Sequence, residues 1–365
     1  MKIAFPVYLH GFGGAERQVI NLANQMVERG HEVHMILLSD NKINYKLSEK
    51  VELHSLLNVE SRSRIKSIYN RRKELIKVLH KLSCDVVVNF NFQSAYFLSV
   101  KKNKSIGKII YSERADPGDK EYGGIMGLVR RYVLHKIDGY VFQSDGAREY
   151  FKDNYIRENS IVIPNACFLK KEDLSKEVSG SRTKRIVTVG RLSLQKNQRL
   201  LIESFAKIAD RYSEYDLEIY GDGDLRKDLE LFVKKLKIQS RVKFKGTTSS
   251  VLSQIKDASL FVLSSDYEGI PNVLIEAMAL GLPCISTDCR PGGARTLITH
   301  NKDGLITPVN DVDALAKAMD YILANPNKAE EMAAKASEIT ERLSPKVIYD
   351  KWEYFFNQCI AENYK

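Results

Sequence analysis

The sequence predicts an α/β protein of two domains, each built on a mostly parallel sheet with helices on both faces. Three observations carry this. Short apolar runs of strand length alternate with helical stretches along the chain, the beat of parallel strands joined by crossover helices. A charged, Ser-rich stretch, KKEDLSKEVSGSRTKR, breaks that beat between residues 168 and 185, and the alternation then restarts. The length, 365 residues, exceeds one ordinary core and suits two of middling size.

Residues 2–8 form an apolar run that ends in a Gly-rich turn at residues 11–14. Val19, Leu22, Ala23, Met26 and Val27 then share one face of a helix over residues 15–28, and Gly30 stops it before the next strand, 33–38. Further strands are expected at 86–90, 108–111 and 140–143, with helices at 64–82, 127–136 and 147–155. After the break, strands at 186–189, 217–220, 242–244, 260–263, 283–286 and 304–308 alternate with helices at 199–211, 225–236, 251–255, 272–280 and 314–323. Pro345 opens a last helix whose aromatic face, Tyr349, Trp352, Phe355 and Phe356, requires an apolar partner, and the first domain is the expected one. The predicted organisation is a first domain over residues 1–167, a second over 168–344, and a C-terminal helix over 345–365.

Composition narrows the class. Hydrophobic residues make up 44% of the chain, no segment approaches membrane-spanning length, and residues 1–9 read as a strand rather than a signal peptide. The five cysteines, Cys84, Cys167, Cys284, Cys289 and Cys359, are scattered without a CxxC pair, which disfavours a disulfide framework and a zinc site and fits a reducing cytoplasm. The net charge of +10 gathers in clusters such as Arg62-Ser-Arg64-Ile-Lys66, Arg71-Arg72-Lys73 and Lys101-Lys102-Asn-Lys104. Nucleic acid, an anionic membrane surface or a phosphate-bearing substrate would each answer that charge.

Four constellations bear on chemistry. Glu268-Gly269-Ile270-Pro271-Asn272-Val273-Leu-Ile-Glu276 begins where a strand ends, the place at which open α/β sheets bind ligands. Pro271 suits the first turn of the helix that follows, whose amides point at whatever lies before them. Glu276 is the one charge in an otherwise apolar helix, so its carboxylate needs partners: a ligand's paired hydroxyls, a neighbouring Arg or backbone amides. Gly190-Arg191-Leu-Ser-Leu-Gln-Lys196-Asn197 places two cations on a strand-to-helix loop, able to neutralise a diphosphate or simply to face solvent. Tyr220-Gly221-Asp-Gly223 permits either close approach to a ligand or a tight turn. Gly11-Phe-Gly13-Gly14-Ala-Glu16 opens the first helix but lacks the third Gly of a dinucleotide fingerprint.

Together with Pro164-Asn165, Phe244-x-Gly246 and Asp303-Gly304, these ordered motifs resemble glycosyltransferase family 4 over nearly the whole chain, particularly the bacterial branch that assembles capsule, exopolysaccharide and lipid-linked oligosaccharides. The resemblance implies the GT-B architecture, two facing Rossmann-like domains with a donor cleft between them, and retaining transfer of a sugar from a nucleotide diphosphate without a metal or other cofactor. It implies that Arg191 and Lys196 hold the donor diphosphate, that Glu276 accepts from the ribose, and that Glu268 with the amides of Gly269, Ile270, Pro271, Asn272 and Val273 surrounds the sugar. Gly221, Thr247 and Thr248 would border the base, and Gly13 and Gly14 would let the first helix terminus approach the donor phosphate or the acceptor. Glu16, Glu113 and Arg114 are the acceptor-side candidates. Many members carry a His in the loop after the fourth strand of the first domain; here Ser112-Glu113-Arg114 stands instead, so Arg114 takes that place or Glu113 contributes.

The implied donor is a UDP-sugar before a GDP-sugar, and the implied acceptor is a glycan or polyprenyl-diphosphate-linked saccharide, with the protein cytoplasmic and peripheral on an anionic membrane. Two other readings compete: a non-catalytic protein binding membrane or nucleic acid through its basic clusters, and another nucleotide-sugar enzyme such as an epimerase. No nucleic-acid motif accompanies the basic clusters, and the Glu-x7-Glu with its Arg-Lys loop argues against the epimerase.

Overall fold

The computed structural model describes residues 1–8, 14–38, 43–56, 64–99, 106–118, 124–169 and 182–361. The chain divides into two compact units, Met1–Ile163 with Ile348–Lys365, and Pro164–Val347.

The first unit carries a seven-stranded parallel sheet of β1 (Lys2–Val7), β2 (Glu32–Leu37), β3 (Glu52–Ser55), β4 (Val86–Asn89), β5 (Lys108–Ser112), β6 (Gly139–Phe142) and β7 (Ser160–Val162), in the order β3-β2-β1-β4-β5-β6-β7. Its central strands are mostly apolar because helices cover both faces: every residue of β4 and β6 is buried. The outermost strands, β3 and β7, escape the sequence reading. Three of the four β3 residues are exposed, so backbone pairing to β2 defines it and no apolar run announces it. The helix Phe92–Ser99 was also not foreseen; it begins within three residues of β4 and buries Ala95, Phe97 and Leu98. The single helix expected at 147–155 is two, Asp145–Tyr150 and Asn154–Glu158, because Phe151 turns to extended backbone and Asp153 caps the second by accepting from Tyr155 N.

The last helix, Pro345–Ala361, belongs to the first unit from Ile348 onward, as the sequence predicts. Tyr349, Trp352, Phe355 and Phe356 are all buried. Trp352 stacks on Phe90 at 6.1 Å between ring centroids, and Arg29 donates to Asp350 at 2.7 Å and Glu353 at 2.9 Å. At Gly139 a side-chain carbon would fall 2.8 Å from Cys359 Sγ and 2.9 Å from Phe355 Cζ, so only glycine lets the helix seat this deeply.

The second unit carries a six-stranded parallel sheet of β8 (Thr183–Val189), β9 (Asp216–Tyr220), β10 (Val242–Gly246), β11 (Ala258–Leu263), β12 (Cys284–Thr287) and β13 (Leu305–Thr307), in the order β10-β9-β8-β11-β12-β13. Ile186, Leu217, Ile219, Leu260, Val262 and Ile285 form the strand layer of its core, covered by Leu201, Phe205, Leu315 and Met319. The order reverses between β8 and β11. The chain leaves β8 toward one edge of the sheet and returns to β11 to build the other; the carboxyl ends of two such neighbours are where open α/β sheets bind their ligands. Helices Gly293–Leu297, Pro326–Ser337 and Ile339–Arg342 add to those the sequence predicts.

Removing the largest anchor of the last helix tests its role. Trp352→Ala should destabilise the first unit by about 3–5 kcal/mol, the usual cost of truncating a fully buried aromatic, measured by urea denaturation.

Candidate active site

The loop after β8 is laid down by main-chain bonds. Gly190 N donates to Tyr220 O at 2.9 Å and Leu192 N to Asp222 O at 3.0 Å, binding this loop to the one after β9. The glycines of the latter loop are dictated by that approach. Gly221 has φ +124°, and a side-chain carbon there would fall 2.0 Å from Gly190 O; at Gly223 it would fall 2.4 Å from Leu192 O. These glycines therefore support the neighbouring loop: Gly221 approaches the Gly190 backbone. A short 3₁₀ turn, Leu194–Lys196, follows, and Asn197 ends it in the left-handed region at φ 42°, a conformation Asn tolerates. The Asn197 side chain accepts from Leu200 N at 3.2 Å, capping the helix Gln198–Ile208, and donates to Asp266 and Asn310, each at 2.8 Å.

The loop after β11 is stitched to this one across the sheet reversal. Asp266 N donates to Gln195 O at 2.8 Å, Gln195 Nε2 to Tyr267 O at 3.0 Å, and Ser264 Oγ to Lys196 O at 3.0 Å. These bonds carry the Lys196 ammonium to Glu268, where it donates to Oε1. Ser265 Oγ donates to the same oxygen at 2.8 Å, and Glu268 N donates to Arg290 O at 2.8 Å. The Lys196 and Glu268 side chains are only 17% and 10% exposed, so the pair is largely withdrawn from water. Gly190 makes room for the lysine stem: a side-chain carbon there would lie 3.3 Å from Lys196 Cδ. Arg191 is exposed on the same loop. The Lys196–Glu268 pair is neutral by itself, and Arg191 is a further cation on the loop that carries Lys196. Cys289 lies close by, but burial, with Glu268 adding to it, pushes its thiol up to about 12, so it is no nucleophile at neutral pH.

Beyond Glu268 the segment Gly269–Pro271 leads into the helix Asn272–Ala279. Pro271 occupies the N-cap, with extended ψ of 103°, rather than the first turn expected of it, and Leu274 N and Ile275 N both donate to its carbonyl. The helix is also less enclosed than its composition implies. Leu274, Ile275, Ala277, Met278 and Ala279 are buried, whereas Asn272, Val273 and Glu276 are half-buried and mark its one open face. Glu276 therefore lies at a surface, not in the core, and the burial cost foreseen for its carboxylate does not arise in full.

Two contributors to this site were missed. A side-chain carbon at Gly293 would fall 1.7 Å from Gly269 O, so the turn Pro291-Gly292-Gly293 backs directly onto the Glu268 loop; the Pro-Gly-Gly run after a strand was the available signal. Asn165, almost wholly buried, donates to Asn272 Oδ1 at 2.8 Å and Ile270 O at 3.4 Å, holding the same segment from another side. At the outer strands, Gly221 N donates to Gly246 O at 2.8 Å. Thr247 is exposed, and Thr248 Oγ1 accepts from Ser250 N at 3.2 Å. Arg191, Lys196, Glu268, Gly269 to Val273, Glu276, Gly221, Thr247 and Thr248 thus all follow the carboxyl ends of β8 to β11 in the second unit.

The remaining candidates belong to the first unit. Gly13 lies outside the described residues; Gly14 begins the helix Gly14–Glu28, and Glu16 is buried in its first turn. The loop bearing Glu113 and Arg114 follows the fifth strand in chain order, not the fourth, because β3 precedes it. Glu113 is 3% exposed and fully engaged: Arg130 donates to Oε2, Tyr111 Oη to Oε2 at 3.0 Å, and the amides of Arg114 and Ala115 to Oε1 at 3.1 and 3.2 Å. That carboxylate is architectural, which removes it from the acceptor-side candidates. The Arg114 guanidinium lies over Phe90 at 4.7 Å and Trp352 at 5.4 Å. Desolvation in this aromatic setting pushes it down to about 9, with Tyr349 and Glu113 opposing, so it stays a cation at neutral pH. The basic helix Arg64–Leu82 is less of a free cationic face than its sequence suggests: Arg72 donates to Phe97 O at 2.9 Å and Arg71 lies 5.9 Å from the Tyr8 ring centroid. Arg62, Lys101, Lys102 and Lys104 lie outside the described residues.

Two reversed parallel sheets, with a basic loop and an acidic loop paired at the reversal of the second, match a known family. Residues 12–169 match Glycosyltransferase Family 4 and residues 170–339 match Glycosyl transferases group 1; the chain belongs to this family of GT-B glycosyltransferases. It is 26% identical over 345 residues to an uncharacterized glycosyltransferase of Haemophilus influenzae, covering 93% of this chain and 95% of that one. It is 28% identical over 356 residues to a Campylobacter jejuni enzyme, GalNAc-alpha-(1->4)-GalNAc-alpha-(1->3)-diNAcBac-PP-undecaprenol alpha-1,4-N-acetyl-D-galactosaminyltransferase, covering 96% and 97%. The crystal structure of Anabaena HepE in complex with UDP superposes with a TM-score of 0.82 at 19% identity, over 98% and 100% of the two chains. Family membership decides against the non-catalytic and epimerase readings.

The support that Gly221 gives the basic loop can be measured. Gly221→Ala combines a left-handed backbone with a clash against Gly190 O and should destabilise the second unit by about 1–3 kcal/mol, read as a lowered Tm; an unchanged Tm would show that the two loops are not packed backbone to backbone.

Proposed function

We propose that this chain is a retaining, metal-independent glycosyltransferase that moves a sugar from UDP to a glycan or polyprenyl-diphosphate-linked saccharide. The observation that carries this reading is the Lys196–Glu268 pair with Arg191 beside it at the β8/β11 reversal. Departure of UDP concentrates negative charge on its β-phosphate, and the Lys196 ammonium, largely withdrawn from water, with the exposed Arg191 guanidinium on the same loop stabilises that charge, the role a metal plays elsewhere. The Glu268 carboxylate accepts from Lys196 and from Ser265 on the same oxygen, Oε1. Oε2 is then the oxygen that accepts from a hydroxyl of the transferred sugar. Glu276, on the open face of its helix, is assigned to the ribose diol, and Gly221, Thr247 and Thr248, toward the outer strands, to the base. The UDP bound to Anabaena HepE supports uracil as that base.

In the front-face substitution assigned here, the bond from the anomeric carbon to the β-phosphate oxygen breaks as the acceptor oxygen bonds to that carbon from the same side. The acceptor's proton passes to the departing phosphate oxygen, and UDP leaves with the configuration retained. No carboxylate nucleophile is required, so Glu268 and Glu276 serve one ligand at two places and are not a glycosidase pair. The first unit is assigned to the acceptor, with Glu16 and Arg114 on that side, and the undecaprenol-linked acceptor in the name of the C. jejuni relative supports the lipid-linked class.

Such an acceptor brings the enzyme to a membrane. Among the described residues no helix is long and apolar enough to cross one. The helix Gly124–Leu134 instead turns Ile125, Leu128 and Tyr132 outward, 80%, 70% and 57% exposed at i, i+3 and i+7, with Arg131 exposed beside them. Exposed apolar side chains flanked by a cation suit shallow insertion into an anionic bilayer surface.

Thermal-shift titration with UDP, GDP and ADP tests the donor site. UDP alone should raise the Tm. Arg191→Ala should abolish that shift and cut kcat by about 10²–10³-fold, the usual loss of one preorganised charge-stabilising donor; near-normal turnover in this variant would remove the assignment. For the membrane surface, Ile125→Glu with Leu128→Glu should release the protein from anionic liposomes in a sedimentation assay while leaving turnover of a water-soluble acceptor analogue intact.

A further inference from the structure

The edge of the first sheet holds a cluster that glycosyl transfer does not use. Strands β2 and β3 run parallel with His34 opposite Glu52 and Ile36 opposite His54, so His34, Glu52 and His54 share one face of the sheet. His34 Nδ1 lies 3.1 Å from His54 Nε2 and 3.2 Å from Glu52 Oε2, and the three donor atoms all fall within 4.8 Å of one another. Nitrogen and oxygen ligands about 2.0–2.2 Å from a tetrahedral zinc ion stand roughly 3.3–3.5 Å apart, close to these two separations.

The outer contact of His34 makes it a ligand. Its Nε2 faces Glu32 Oε1 at 3.1 Å, and Glu32 is itself held by Lys2 Nζ at 2.9 Å. A proton on Nε2 donated to Glu32 leaves Nδ1 with a lone pair directed at His54 and Glu52, the carboxylate–histidine arrangement that orients metal-binding imidazoles. A proton on His54 Nε2 satisfies one of the two approaches to that lone pair and leaves the Glu52 carboxylate facing it with nothing between. A cation among the three satisfies all of them.

We propose that His34, His54 and Glu52 bind a divalent transition-metal ion of the zinc type, with Glu32 orienting His34. Glu32 and His34 lie in the first half of β2, toward the amino ends of the strands, whereas ligands of such sheets act at the carboxyl ends. The ion is therefore structural: it ties the exposed edge strand β3 to β2, and transfer itself remains independent of metal.

The test uses full-length protein without a histidine tag, stripped with a chelator and returned to chelator-free buffer. Titration with zinc chloride should show one ion bound per chain and raise the Tm by about 3 °C or more once zinc is well above its dissociation constant. Cobalt in its place should give the visible absorption of a tetrahedral site with nitrogen ligands. Glu52→Gln and His54→Ala should each abolish both signals. Glu52 is largely exposed, so Glu52→Gln should keep the metal-free melting temperature of the parent and confirm that the fold is intact. Absence of saturable binding, or stoichiometric binding that survives in the Glu52→Gln/His54→Ala double variant, would overturn the proposal.

Discussion

The second unit turns on one interaction, the ion pair that Lys196 and Glu268 make across the reversal of its sheet. β8 and β11 are neighbours whose following loops leave in opposite directions, so nothing in the sheet's own hydrogen bonding holds those loops together. One main-chain bond, Asp266 N to Gln195 O, and a set of side chains do so: Asn197 to Asp266, Gln195 to Tyr267, Ser264 to Lys196, and the salt bridge at the centre. Two charges withdrawn from water are stable only when each meets a partner with good geometry. That requirement fixes the lysine stem against Gly190 and brings the β9 loop in behind it through Gly221 and Gly223.

The first unit withdraws charge from water for a different end. Glu113 meets Arg130, the Tyr111 hydroxyl and two backbone amides, and Arg130 also donates to Pro117 O at 2.7 Å. Every strong acceptor there is answered from within the fold, so the group shapes a loop and has nothing left for a substrate. The Lys196–Glu268 pair differs in that it borders half-buried residues and an exposed Arg191. These two ion pairs thus divide into scaffold and candidate chemistry according to what surrounds them.

Much of the architecture was legible because its physical cause is local. The helix Arg64–Leu82 and the core strands announce themselves through apolar spacing, since a buried strand in a parallel sheet must be apolar on both faces. Strand β3 left no such trace, because an edge strand is held by main-chain bonds to β2 and exposes its side chains. Among the candidate site residues, those following β8 and β11 were readable from strand ends and Gly-rich loops. The meaning of individual members was not: Glu113 and Glu268 look equally available in one dimension, and only their neighbours distinguish them.

The sequence by itself determined the two α/β units, the last aromatic helix and the family motifs, because periodicity, turn residues and motif spacing are properties of short stretches of chain. Only the tertiary structure decided that Lys196 pairs with Glu268, that Gly221 supports a loop, that Glu276 lies on an open helix face, and that His34, Glu52 and His54 converge. Each of these depends on which strands lie side by side. Strand order is set by how the whole chain buries its apolar surface, a long-range property that no local pattern contains.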